Sequence, residues 1–159
     1  MRISELLVVE NVVADLVGTD KSEVLDELAT LLSINNDSVD AEALLELLLE
    51  REKLGSTGIG HGVAIPHAKL KGINSIQICF GRCKKGIDFD SMDRKKVHLF
   101  FLIVAPEDST TIHLKVLSAV SGLLKEASVR HKLLVANGRD DICEIIRNEE
   151  KKNFKGAVA

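Results

Sequence analysis

The stretch VHLFFLIVA, residues 97 to 105, limits the possible folds more than any other part of the chain. It is an almost unbroken run of aliphatic and aromatic residues with no polar alternation. A strand with one wet face alternates, whereas a continuous apolar run of this length belongs to a strand covered on both faces. Such a chain must bring helices to both sides of a sheet. The segment TDKSEVLDELATLLS supplies one, with Asp20 and Glu23 at capping-box spacing and Val24, Leu25, Leu28, Leu31 and Leu32 on one face. A second helix is expected over about 40 to 53, with Leu44, Leu45 and Leu48 inward and Arg51 near its C-terminal end. NVVADL, VAIPH and SIQICFGRC read as further strands. Near 110 to 125, Ile112, Val116, Ala119 and Leu123 fall at helical spacing. SVRHKLLVANG closes on an Asn-Gly stop, and Asp141 and Glu144 are placed to cap a final helix. The expected fold is a single α/β domain over residues 1–150, a mixed β-sheet flanked by α-helices on both faces, followed by a C-terminal tail at 151–159.

Composition removes several classes of function. At 159 residues the chain can bury roughly 70% of its unfolded surface around one core and needs no disulfides. Its three cysteines are an odd number, and no apolar N-terminal run resembles a signal peptide, so the reducing cytoplasm is the expected compartment. No stretch approaches the roughly 18 apolar residues of a membrane span. Lys and Arg total 21 against 24 Asp and Glu, with no Trp, no Tyr and five Phe. Neither a basic stripe nor a stacking platform is present, so no nucleic-acid partner is expected.

The chemistry concentrates in GSTGIGHGVAIPHAKL, residues 55 to 70. Phosphate-binding glycine loops follow a strand and open a helix. Here the order is reversed, from a helix end into a strand, and no Gly-Lys-Ser/Thr occurs. His67 follows Pro66, whose ring fixes φ and stiffens the presentation of the next residue. A histidine that accepts a phosphoryl group needs one ring nitrogen open and the other hydrogen-bonded. The phosphoryl group then brings close to two negative charges. Arg51, the Ser56 and Thr57 hydroxyls, and the amides of Gly58 and Gly60 are candidates to hold it, with His113 in the first turn of its helix as a further donor. Against this stand plainer readings: His67 as a structural strand residue, Arg51 as a solvated helix terminus, and His61, His67 and His113 as a zinc site. Cys79 and Cys83 lie too far apart on one strand to pair and read as buried, inert thiols. His98 and His131 read as a strand residue and a helix-surface residue.

REKLGSTGIGHGVAIPHAKL resembles the active-site block of the type-2 enzyme IIA family of the phosphoenolpyruvate-dependent sugar phosphotransferase system, the fructose, mannitol and nitrogen-regulatory group. GIDFDSMD and VHLFFLIVAPEDSTTIHLKVLS resemble its downstream blocks. The resemblance implies that His67 is the phosphorylated histidine, modified on Nε2, His113 the second active-site histidine, and Arg51 the arginine beside them. It implies a histidine phosphocarrier protein as donor and no cofactor. Within the family the wording is most similar to the nitrogen-regulatory branch, whose charge state would alter the binding of regulatory target proteins. The alternative is a fructose- or mannitol-type component that passes the group to a sugar-specific IIB. The sequence departs from the family pattern at His61, where Asn is more usual, and at Ala68, where Gly is common. Ile59 and Leu70 are expected on an apolar docking rim around His67.

Overall fold

A computed structural model describes residues 2–158, with side chains described through Lys152. The elements are α1 (Ile3–Leu6), β1 (Val12–Val13), α2 (Lys21–Asn35), α3 (Ala41–Lys53), β2 (Gly58–Gly60), β3 (Val63–Ala64), β4 (His67–Leu70), β5 (Gln77–Ile87), β6 (Val97–Pro106), α4 (Thr110–Leu124), α5 (Ala127–Val135) and α6 (Arg139–Val158). The sheet is mixed, in the order β1-β5-β6-β3-β2, with β4 also on β6. β5 runs antiparallel to β6, whereas β3 and β4 run parallel to it.

The apolar run occupies β6, at the centre, and its side chains part by parity. Leu99, Phe101, Ile103 and Ala105 join one core with residues of α1, α4, α5 and α6. Phe100, Leu102 and Val104 join a second core with α2 and α3. A strand buried on both faces has no place for a polar alternation, which is why the run lacks one. Cys79 and Cys83 are free and buried in the second core, and burial pushes the Cys79 thiol far up.

Helix α2 begins where expected. Asp20 accepts from the Glu23 N–H at 2.8 Å, but the Glu23 carboxylate reaches one residue further back, to the Thr19 N–H at 3.0 Å and its hydroxyl at 2.7 Å. The strand expected over 11–16 shrinks to Val12–Val13, between a 3₁₀ turn at Val9–Asn11 and a bend at Ala14 and Asp15. Asp141 accepts from the Asn137 N–H at 3.0 Å and so holds the entry to α6; among the described residues Glu144 makes no capping bond. The tail reading of 151–159 falls mostly on residues whose side chains lie outside those described. The one displaced stripe is on α4. Its buried face is His113, Val116, Val120, Leu123 and Leu124, and Ile112 is 39% exposed. An imidazole at an inward position breaks the apolar pattern, so the sequence period started one residue early.

VAIPH is one extended run broken by its proline. Val63 pairs with Leu99 and His67 with Ile103, a constant register along β6. Between them Pro66 has no N–H to give to a ladder; its carbonyl accepts from the Ile103 N–H at 3.0 Å, and the Ile65 N–H turns to Thr57 O at 3.0 Å. Parity then decides the site. Val63 and Ile65 face the α4 side, so His67 and Lys69 face it too, where His113 arrives from above.

Candidate functional site

His67 opens β4 and is half-buried. Its Nδ1 lies 2.8 Å from the Ile65 carbonyl. A carbonyl only accepts, so Nδ1 carries the proton and the Nε2 lone pair is left open. The Pro66 break makes this possible, because it lets the ring fold back over the residue before the proline. His113 stands edge-on to it, with ring centroids 5.3 Å apart and planes at 87°. His113 is 5% exposed, and its Nδ1 is buried without a hydrogen-bond partner. Burial above all, then the neighbouring His67 and Lys69, hold the His113 pKa below its ordinary value, which favours the neutral ring at physiological pH. An unpartnered buried nitrogen costs about 1–3 kcal/mol.

Lys69, two residues beyond His67 on the same face, donates to Thr110 Oγ1 at 2.6 Å. Thr110 opens α4, so this bond ties the strand carrying one histidine to the helix carrying the other. Sequence reasoning missed Lys69, although the two-residue parity of a strand marks it as facing the same side as His67.

The glycine-rich loop is built differently. Ser56 Oγ donates to Phe89 O at 2.6 Å and accepts from the Gly58 N–H at 3.0 Å. The Thr57 hydroxyl, in a buried residue, donates to Glu52, and its N–H reaches the same carboxylate at 2.9 Å. Both hydroxyl protons expected at a phosphoryl group are therefore spent on the loop itself. Glu52, with its side chain 5% exposed, also pairs with Lys21 at 3.5 Å; Lys21 reaches Asp90 at 3.4 Å and lies 4.7 Å over the Phe89 ring. Glu52 was invisible in the sequence, where it reads as one more solvated charge at a helix end. Arg51 Nη1 donates to Gly55 O at 2.9 Å. That bond uses one of five guanidinium N–H donors.

Gly60, His61 and Gly62 turn the β2–β3 hairpin with φ of +97°, +57° and +79°. A left-handed φ is unusual for histidine and easier for Asn. Asp93 pins the turn, accepting from the His61 N–H at 3.1 Å and the Lys95 N–H at 3.0 Å, and the Lys95 bond leads in lowering its pKa. His61 is exposed on this hairpin. The zinc reading fails on placement: among the described residues no three His, Cys, Asp or Glu side chains gather to hold a metal ion. The rim also needs a correction. Ile59 is 46% exposed, but Leu70 alternates into the second core and is buried. Ile112 and Leu114, flanking His113, are the exposed apolar residues on the α4 side. His98 is half-buried on β6, with Nδ1 at 3.0 Å from Cys83 O, and His131 is exposed on α5.

Fold and site together define an α/β protein organised around one presented imidazole and a neutral partner ring. The chain matches, over residues 5–149, the family described as the phosphoenolpyruvate-dependent sugar phosphotransferase system, EIIA 2, and it belongs to that family. It is 37% identical over 146 residues to a nitrogen regulatory protein of Bradyrhizobium diazoefficiens, covering 92% of this chain and 95% of that one. It is 40% identical over 151 residues to the fructose-specific EIIABC component of Bacillus subtilis, covering 95% of this chain but only 24% of that protein. Among solved structures, nitrogen regulatory protein IIA-Ntr from Neisseria meningitidis superposes with a TM-score of 0.85 at 35% identity, covering 91% and 98% of the two chains. Among the described residues no helix is long and apolar enough to cross a membrane.

Proposed function

We propose that this chain accepts a phosphoryl group on Nε2 of His67 from a phosphohistidine carrier protein in the cytoplasm, and that the charged form acts by changing which regulatory proteins bind. The observation that carries the reading is the Nδ1–H bond to Ile65 O, which leaves Nε2 as the nucleophile. The Nε2 lone pair attacks phosphorus, the phosphorus–nitrogen bond of the donor histidine breaks, and its electron pair returns to the donor ring. The His67 proton stays on Nδ1. Catalysis is then a matter of positioning and charge, because the donor is already activated. Neutral His113, 5.3 Å away between ring centroids, can donate one ring N–H to the phosphoryl oxygens, and one such donor contributes about 3 kcal/mol. Arg51 brings its uncommitted N–H donors from the α3 end, and the Gly60 amide is the loop's remaining candidate; the Gly58 N–H, already given to Ser56 Oγ at 3.0 Å, and the Ser56 and Thr57 hydroxyls support the loop rather than the group. Exposed Ile59, Ile112 and Leu114 suit a transient protein interface.

The regulatory role is supported by the nitrogen regulatory relatives, which this chain matches over almost their whole length. The 40% identity to a fructose-specific component favours a second reading, in which the group passes to a IIB partner during sugar uptake. Incubation with phosphoenolpyruvate, enzyme I and the phosphocarrier, followed by mass spectrometry, is expected to place one acid-labile phosphoryl group on His67. Labelling that survives His67→Ala overturns the assignment. Rapid transfer onward to a fructose IIB replaces the regulatory reading with the transport one.

A further inference from the structure

Lys69 is an exposed residue of β4, yet its ammonium group is fixed. It lies two residues beyond His67, about 7 Å along the strand at roughly 3.3 Å per residue, and on the same face. Its Nζ donates to Thr110 Oγ1 at 2.6 Å. Thr110 is the first residue of α4, and His113 follows it by three. The ammonium is therefore held where the strand of one histidine meets the helix of the other. An ammonium has three N–H donors, so two remain uncommitted.

No ion pair accounts for that position. Glu46, Glu50 and Glu107 line a concavity that Lys69 also lines, but among the described residues it pairs with no carboxylate, and the partner it has is a neutral hydroxyl. The end of α4 that it approaches is the N-terminal one, where a helix carries partial positive charge and favours anions over cations. Ser109 gives that end no side-chain cap, and the first turn holds no acidic residue; Glu107 and Asp108 stand exposed in the turn before it. Three residues along the helix, His113 Nδ1 is buried without a partner. Burial first, then His67 and the Lys69 charge, hold the pKa of that ring down. Positive charge thus converges on the histidine pair without a carboxylate paired to it.

We propose that Lys69 is the cation that holds the phosphoryl group on His67, donating one N–H to a phosphoryl oxygen while another stays on Thr110, and that Thr110 is the residue that positions it. The inference rests on the reading of His67 Nε2 as the phosphoryl acceptor. Lys69 keeps its proton throughout: it only hydrogen-bonds to the oxygens, and the bonds made and broken at phosphorus are those described above. The group brings close to two negative charges, and a hydrogen bond between charged partners is roughly twice as strong as a neutral one. The bond to Thr110 orders the long lysine stem before the phosphocarrier docks, so less side-chain freedom is lost at transfer. Arg51, by comparison, donates within its own loop, to Gly55 O.

The test uses the full chain phosphorylated through enzyme I and the phosphocarrier, beside Lys69→Met, Lys69→Arg, Thr110→Val and the Lys69→Met, Thr110→Val pair. Phosphorus NMR titration of the phosphohistidine decides, because it responds to a cation beside the group rather than to how the partner docks. Lys69→Met is expected to raise the midpoint of that titration by about one pH unit and to shift the phosphoryl equilibrium about tenfold toward the phosphocarrier, the loss of one charge-assisted bond. Lys69→Arg is expected to restore most of both, with melting temperatures unchanged throughout. Thr110→Val is expected to shift the equilibrium about threefold, and the pair no further than Lys69→Met alone, since Thr110 acts through Lys69. An unchanged midpoint and equilibrium in Lys69→Met overturns the proposal and leaves His67 as the acceptor; losses that add in the pair overturn the positioning role of Thr110. An unsubstituted chain with no label on His67 overturns the reading beneath it.

Discussion

The two halves of the site are built on opposite terms. The histidine half keeps polar atoms unsatisfied: Nε2 of His67 is open and Nδ1 of His113 is buried without a partner. In the loop half, Ser56, Thr57, Glu52 and Lys21 close on one another and on the backbone of Phe89. Unsatisfied groups in a buried setting are costly, and a catalytic role is one of the explanations for them. Satisfied networks hold a shape. The loop, richer in donors on paper, is therefore the frame, and the sparser histidine pair is where the proposed phosphoryl group would be received.

Substitutions should separate the halves, and the largest effect is expected at the proposed nucleophile, His67. His67→Ala is expected to abolish phosphoryl uptake while leaving the melting transition in place, seen by acid-labile labelling beside calorimetry. His113→Ala is expected to slow uptake on the order of 10²-fold, the cost of one donor at developing charge, with the fold retained; a large stability loss with an unchanged rate would make His113 a packing residue. Glu52→Ala is expected to lower stability by about 3 kcal/mol in urea unfolding, because it strands Lys21 beside Phe89 and leaves the Thr57 donors unanswered. Ser56→Ala and Thr57→Val are expected to change the uptake rate by less than about tenfold. A fall of 10²-fold or more in either would mean that a loop hydroxyl reaches the phosphoryl group, and the contrast between the halves would vanish.

The smallest effect is on pH. Burial first, then His67 and Lys69, lower the pKa of His113 from 6.5, so the folded chain binds this proton more weakly than the unfolded one. The linkage leaves stability whole above about pH 6.5 and reduces it as pH falls from there toward the lowered value. His113→Asn should flatten that part of the profile in urea midpoints measured between pH 7.5 and 5.5. An unchanged slope would place the imidazole in water.

Much of this was legible in the residues. The apolar run of β6 demanded helices on both faces, and the parity of its side chains divides the two cores in that way. His67 stood out because Pro66 precedes it, and the structure adds the reason the proline matters: it breaks the ladder so the ring can reach Ile65 O. His113 was visible as a histidine but not as an inward one, since an imidazole disguises the helical stripe it belongs to. Glu52 carried no local signal. Its burial depends on Lys21 and Thr57 arriving from other elements, and long-range closure of that kind leaves no period in a sequence.

The proposed transfer depends on which nitrogen of His67 is free. Phosphorylation of the ¹⁵N-histidine-labelled chain through enzyme I and the phosphocarrier, read by phosphorus–nitrogen coupling, tests it most directly. The account predicts coupling to Nε2 of His67, with Nδ1 still protonated against Ile65 O. Coupling to Nδ1, or phosphorus on His113 or His61, would contradict it.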